Sequence, residues 1–258
     1  MGNLEKKKGI DYRKVFSIIA ALLLVMVAHE AVKFKRSSNF NKLEITIQQQ
    51  GTERSLLTKK DVLDLMREHL GFDPTVANVD EVNFRSLEES LERNAYIQEA
   101  LIYLNARHEL IVLVQQRKPI ARVMTNEVDY YVAADATKIP LSDYATLRVP
   151  IITGSINHIS SRTKETKATY GKLVQLLNRC REDKFLTALI EQIDIDRDGK
   201  LTIIPKIGTE RIVFGELENT EEKLKKLSKY YKWGRSQDGW DKYAYLNLEV
   251  KNQIALGK

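Results

Sequence analysis

Val15 to Ala28 reads VFSIIAALLLVMVA, fourteen residues without a charge. Extended to Val32 the run reaches 18 residues and takes in His29 and Glu30. A bilayer core takes roughly 20 apolar residues, within a range of about 17–25. The run therefore spans if His29 and Glu30 sit at the interface and the flanking lysines snorkel. Lys6, Lys7, Lys8, Arg13 and Lys14 precede it; Lys33, Lys35 and Arg36 follow. Five cations against three favour an N-terminus held inside. A cleaved signal peptide has a similar charged start and apolar centre, but it also needs a small-x-small cleavage pair. Ala28 has Glu30 two residues on, and Ala31 has His29 two before. A core helix buried in protein is the third reading. The expectation is a cytoplasmic tail over 1–14, a transmembrane helix from Val15 to Val32 and a linker over 33–41. The rest then folds on the far side of the membrane.

Charge is judged on that remainder. The first 32 residues take five of the 41 Lys and Arg and three of the 35 Asp and Glu, which leaves the remainder at only +4. A nucleic-acid binder carries a much stronger basic bias. Hydrophobic content of 43% supplies a real core, which argues against wholesale disorder. Cys180 is the single cysteine, so no internal disulfide forms and packing must hold the fold.

Two textures follow the linker. Leu43, Ile45 and Ile47 alternate with polar residues as in a half-buried strand. Thr58 and Asp61 have capping-box spacing at a helix start, and Gly71 and Pro74 stop that helix. Val62, Leu65, Met66 and His69 or Leu70 mark its inner face. Phe84, Leu87 and Leu91 line a second helix, and Ile97–Leu104 and Leu110–Gln116 read as strands. Strand–helix–helix–strand–strand, with both helices on one face of the sheet, makes a small α+β domain over 42–117. From Lys118 to Lys258 the chain reads as a β-rich α+β domain dominated by antiparallel hairpins. Strands are expected at Ile120–Met124, Tyr130–Val132, Ile139–Leu141, Val149–Thr153, about Ile193 and Ile203, at Arg211–Phe214 and at Tyr243–Leu248. Helices are expected at Lys164–Arg181, Phe185–Ile190 and Thr220–Trp233, the last with Leu224, Leu227 and Tyr231 facing in.

Few constellations suggest chemistry. Asp194, Asp196 and Asp198 before Gly199 resemble a calcium loop, but its twelfth position, which needs a bidentate acid, is Pro205. An Asp-Gly hairpin tip explains the string. His29, His69, His108 and His158 lack metal-ligand spacing. Cys180 sits late in a helix, where a small buried role is common. No nucleophile elbow, phosphate loop or dinucleotide fingerprint occurs, so no catalytic, cofactor or metal residue is expected and no small-molecule substrate. Trp233, Trp240, Tyr243 and Tyr245 make an aromatic-rich C-terminus, either core or partner surface.

Several strings together resemble the FtsQ/DivIB family of bacterial cell-division proteins. LTKKDV at 57–62 is similar to the family's first helix start. LERNAYIQEA at 91–100 is similar to a family step that usually has proline where Ala95 stands. LIVLVQQRKPIARV at 110–123 resembles the family's interdomain junction and is the most specific string. IPLS at 139–142 and VPIITG at 149–154 follow at family-like distance, and the stretch from YLNL at 245–248 through Lys258 is similar to the family's last strand. The resemblance implies a POTRA domain followed by a β domain, no catalysis, and no cofactor. It implies a divisome scaffold in the inner membrane, N-terminus cytoplasmic and C-terminal domains periplasmic, recruiting FtsB- and FtsL-like single-pass coiled-coil proteins to the septum. It places the FtsB contact on the helix before the last strand and on an edge of that strand, here about Thr220–Trp233 and Tyr245–Ile254, with Tyr231, Trp233, Tyr245, Leu246, Asn247, Leu248, Glu249, Val250 and Lys251 as the contact residues. Where proteobacterial members often carry Arg-Tyr-Asp, this chain has Glu249-Val250-Lys251. The charges are reversed, so the partner's charges are reversed too or the contact differs. The alternatives are a POTRA-containing outer-membrane assembly or secretion factor, which predicts a barrel of amphipathic strands, and a membrane-anchored enzyme.

Overall fold

The computed structural model describes residues 16, 19–27, 40–48, 54–156, 164–234 and 242–258. Residues 19–27 are helical, and Phe16, Ile19 and the large apolar side chains from Leu22 to Val27 are all exposed. Val15 and Val32 lie outside the described residues. Among the described residues no helix is long and apolar enough to cross a membrane.

The first unit is a three-stranded sheet with two helices. Strand β1 (Lys42–Gln48) pairs in parallel with β3 (Glu109–Gln116), which pairs antiparallel with β2 (Ile97–Leu104), giving the order β1-β3-β2. Helix α1 (Lys59–Leu70) begins with the capping box expected. Thr58 Oγ accepts from Asp61 N–H at 3.2 Å, and Asp61 Oδ2 accepts from Thr58 N–H at 2.6 Å. Its end is Gly71 at φ 76, whose N–H donates to Arg67 O at 2.8 Å. A left-handed residue there costs glycine nothing and satisfies an orphan carbonyl. Helix α2 (Phe84–Glu92) is capped by Asn83 and buries Leu87 and Leu91. These leucines, with Val62 and Met66 from α1, close over Ile97, Val112 and Val114 of the sheet. Burying each such side chain is worth roughly 1.5–3 kcal/mol.

The second unit is one nine-stranded sheet in the order β12-β11-β10-β9-β8-β7-β4-β5-β6. Its strands are β4 (Pro119–Val123), β5 (Tyr130–Ala133), β6 (Lys138–Pro140), β7 (Ile151–Gly154), β8 (Ile190–Ile195), β9 (Leu201–Pro205), β10 (Arg211–Gly215), β11 (Tyr245–Asn247) and β12 (Ala255–Gly257). Hairpins prevail, but β4–β7, β7–β8 and β10–β11 are parallel. The second of these joins is a crossover containing α3 (Lys164–Glu182) and α4 (Lys184–Leu189); the third contains α5 (Thr220–Lys229). Parallel neighbours require such crossovers, and the helices cover the sheet. Leu173 and Leu177 of α3, Leu186 of α4 and Leu224 and Leu227 of α5 share one core with Ile152, Ile193, Ile203 and Phe214.

Two expectations are corrected here. The helix from Thr220 does not stay α-helical to Trp233: it turns into a π-helical segment at Tyr230–Gly234. The last strand is not Tyr243–Leu248. A three-residue strand, β12, follows it and pairs antiparallel with β11.

Candidate partner-binding edge and domain junction

The C-terminal edge is built from β10 outward. Arg211 N–H donates to Ala244 O and Leu248 N–H to Val213 O, both at 2.9 Å, which seats β11 against β10. This consumes the inner side of β11. Its outer side pairs with β12, Tyr245 opposite Gly257 and Asn247 opposite Ala255. Tyr245–Lys251 is therefore no open edge; among the described residues β12 is the outermost strand at this end of the sheet, as β6 is at the other. Alternation along β12 turns the N–H and C=O of Leu256 outward.

Gly257 has a specific job in this pairing. A Cβ built on it would meet the Tyr245 ring at 2.1 Å. The tyrosine ring thus lies across the glycine backbone, a cross-strand contact that a side chain at 257 would have to displace.

The turn from β11 to β12 is held by α5. Lys226 Nζ donates to Leu248 O at 2.8 Å and to Val250 O at 2.6 Å, and Asn252, at φ 59, reverses the chain. Asn252 N–H also donates to Glu222 Oε1 at 3.3 Å. A groove of about 340 Å³ runs between α5 and this turn, lined by Lys226, Lys229, Tyr230, Trp233, Gln253 and Ile254 among others. Trp233 is 70% exposed beside it.

The residues implicated by the resemblance therefore separate. Trp233, Tyr245, Val250 and Lys251 are exposed, and Asn247 is half-buried. Glu249 is exposed as a residue, with its side chain packed against Gly215. Leu246 and Leu248 are 0% exposed and belong to the core, so they cannot offer side chains to a partner. Tyr231 also points inward. Its hydroxyl donates to the buried Glu210 carboxylate, its ring packs 6.0 Å from Phe185, and burial pushes its phenol well above the usual range. The resemblance read 245–258 as one last strand; it is two, β11 and β12, which three-residue lengths without periodicity did not reveal.

The second built feature is the junction between the two units. Arg117 donates to Ala95 O at 3.1 Å and to Ile97 O at 2.7 Å, both in the first unit. The same guanidinium reaches Asp135 and, at 3.3 Å, Thr137 Oγ in the second. Gln116 Oε1, buried, accepts from Leu56 N–H at 2.7 Å and from Ser55 Oγ at 3.1 Å. Ser142 Oγ donates to Leu56 O at 2.7 Å, Tyr96 Oη to Leu141 O at 3.1 Å and Tyr144 Oη to Asp61 at 3.1 Å. Leu56 is buried with Tyr131, Ile139 and Leu147 in a small core of its own. Burial works against the Asp61 charge, yet bonds from Thr58 and Tyr144 and the nearby Lys60 leave its carboxyl below the usual range. Helix capping and domain docking thus share one carboxylate.

The acidic string at 194–199 is the β8–β9 hairpin tip. Asp196 Oδ1 accepts from the N–H groups of Asp198 and Lys200, both at 2.9 Å, and Gly199 takes φ 81.

The family model described as FtsQ/DivIB, C-terminal related, matches residues 118–255. That is more than half of the chain. The chain belongs to the FtsQ/DivIB family. A second model, the POTRA-like domain, matches residues 40–115 and covers the three-stranded unit. No curated protein, taken singly, matches the chain. FtsQ/DivIB proteins are non-catalytic cell-division proteins, and this chain takes its place in cell division with them. The first of these matches covers the nine-stranded unit up to Ala255.

Proposed function

We propose that this FtsQ/DivIB chain is a divisome scaffold that captures FtsB- and FtsL-like single-pass proteins by strand addition on the outer edge of β12. The observation that carries this reading is the open edge of the nine-stranded sheet at Ala255–Gly257. An unpaired edge offers N–H and C=O groups in register, and side-chain grooves beside it give specificity. The groove beside Trp233 is the one at hand, with Lys226 and Lys229 on its wall. The partner strand would lie antiparallel or parallel to β12 and set one apolar side chain against Trp233.

In this reading the run from Val15 to Val32 is the single membrane anchor in the inner membrane. The N-terminus is cytoplasmic and the two folded units are periplasmic. Exposed apolar side chains along helical residues 19–27 support it, because such a surface is otherwise a costly one in water. The POTRA-like unit, over 42–117, sets the distance between anchor and β domain, and the Arg117 junction transmits its orientation.

Depletion of the protein in its own cells tests the role. Filaments with unconstricted septa and mislocalised coiled-coil partners are expected. Normal septation without the protein would sink the scaffold reading.

A further inference from the structure

A cavity of about 130 Å³ opens under the end of α3, beside the third to fifth strands counted from the β6 edge and away from β12. It lies where the parallel strands β4, β7 and β8 begin. Leu177 and Cys180 of α3 and Ile193 of β8, all buried, form its apolar wall. Lys118, Arg148 and Arg181 stand on its lining, and no carboxylate does. Arg148 and Arg181 are exposed.

Volume decides the size of the guest. An engineered apolar cavity of about 150 Å³ holds one benzene, so this one takes a single leucine- or phenylalanine-sized group. A lipid acyl chain or a nucleotide is far too large. Charge decides what the guest is attached to. Cations around an apolar mouth add nothing to a bare hydrocarbon but attract carboxylates on either side of it. The wall itself is uncharged, for burial pushes the Cys180 thiol up to about 12. We propose that this cavity is a docking pocket for an acidic peptide segment of a partner protein, one apolar side chain entering between Leu177, Cys180 and Ile193 while Arg148 and Arg181 meet its flanking carboxylates. The site is independent of strand addition at β12, so either can fail without the other.

Fluorescence anisotropy tests it with the full chain held in nanodiscs of zwitterionic lipid. The probe is a labelled peptide of Glu and Asp with one central Leu, beside the same peptide with central Gly. The Leu peptide is expected to bind at least about tenfold tighter. R148E with R181E should remove that binding while leaving the circular dichroism spectrum and melting temperature in place. NMR shifts at the methyl groups of Leu177 and Ile193 should move with the Leu peptide alone. Equal affinity for the two peptides would overturn the proposal, reducing the site to surface charge. So would anionic-lipid nanodiscs that shift those methyl groups without peptide, which would make the guest a lipid.

Discussion

Arg117 holds the two folded units together through a single side chain. Its side chain is 12% exposed and bonds both units at once. Leaving its carbonyl acceptors and Asp135 without a donor is the expensive part of losing it, more than the bonds themselves. Arg117→Ala should therefore lower stability by about 2–4 kcal/mol in urea unfolding. Arg117→Lys should recover only part of this, since an ammonium cannot reproduce the planar fork. Equal stability of Lys and Arg would show that charge alone holds the junction. Asp73 gives a pH test at the same scale. The Thr75 N–H and hydroxyl and the Arg67 guanidinium hold its carboxyl down at about 2. A folded value below the unfolded one means stabilisation present above about pH 4 and lost as pH falls towards about 2. The urea midpoint of wild type should exceed that of Asp73→Asn at neutral pH, and the gap should close across that window. A gap that persists below it would assign the effect to shape rather than charge. The Thr58–Asp61 cap was legible in the sequence, because its partners are three residues apart. The partners of Arg117 were not, because Ala95, Ile97, Asp135 and Thr137 meet only after both units fold.

At the scale of elements, the short strands carry the information that periodicity cannot. The strands of the first unit alternate over seven or eight residues, and α1 and α2 show their apolar stripes with caps attached. Those elements follow from the sequence pattern nearly to their ends. β11 and β12 have three residues each, and their place is decided by neighbours: β10 on one side, Lys226 clamping the turn, Tyr245 over Gly257. The same tertiary control converts the end of α5 into a π-helical segment that turns Tyr231 onto Glu210 and leaves Trp233 outside. Gly257→Val should push the Tyr245 ring away and loosen β12. Amide exchange should speed up at 255–257 and stay unchanged at β8 and β9, with a stability loss of about 1–3 kcal/mol. Unchanged exchange at β12 would mean that the glycine is not required for the pairing.

The whole molecule joins a POTRA-like unit to a nine-stranded β-rich unit through the Arg117 junction. The resemblance foresaw both units in their order. Leu246 and Leu248 prove to be core, and β12 takes the outer place at that end of the sheet. A charge or a proline at Leu248 would therefore break the fold and say nothing of a partner. Leu256 offers the cleaner test. Proline there removes an outward N–H while β11 keeps its own bonds to Ala255 and Gly257, and edge strands tolerate it. The decisive measurement is the affinity of the full chain for the extramembrane segment of the FtsB-like protein proposed as its partner, with wild type and Leu256→Pro compared by calorimetry. The account predicts a loss of at least about tenfold for Leu256→Pro, with melting temperature nearly unchanged. Wild-type affinity in that variant would contradict strand addition at β12.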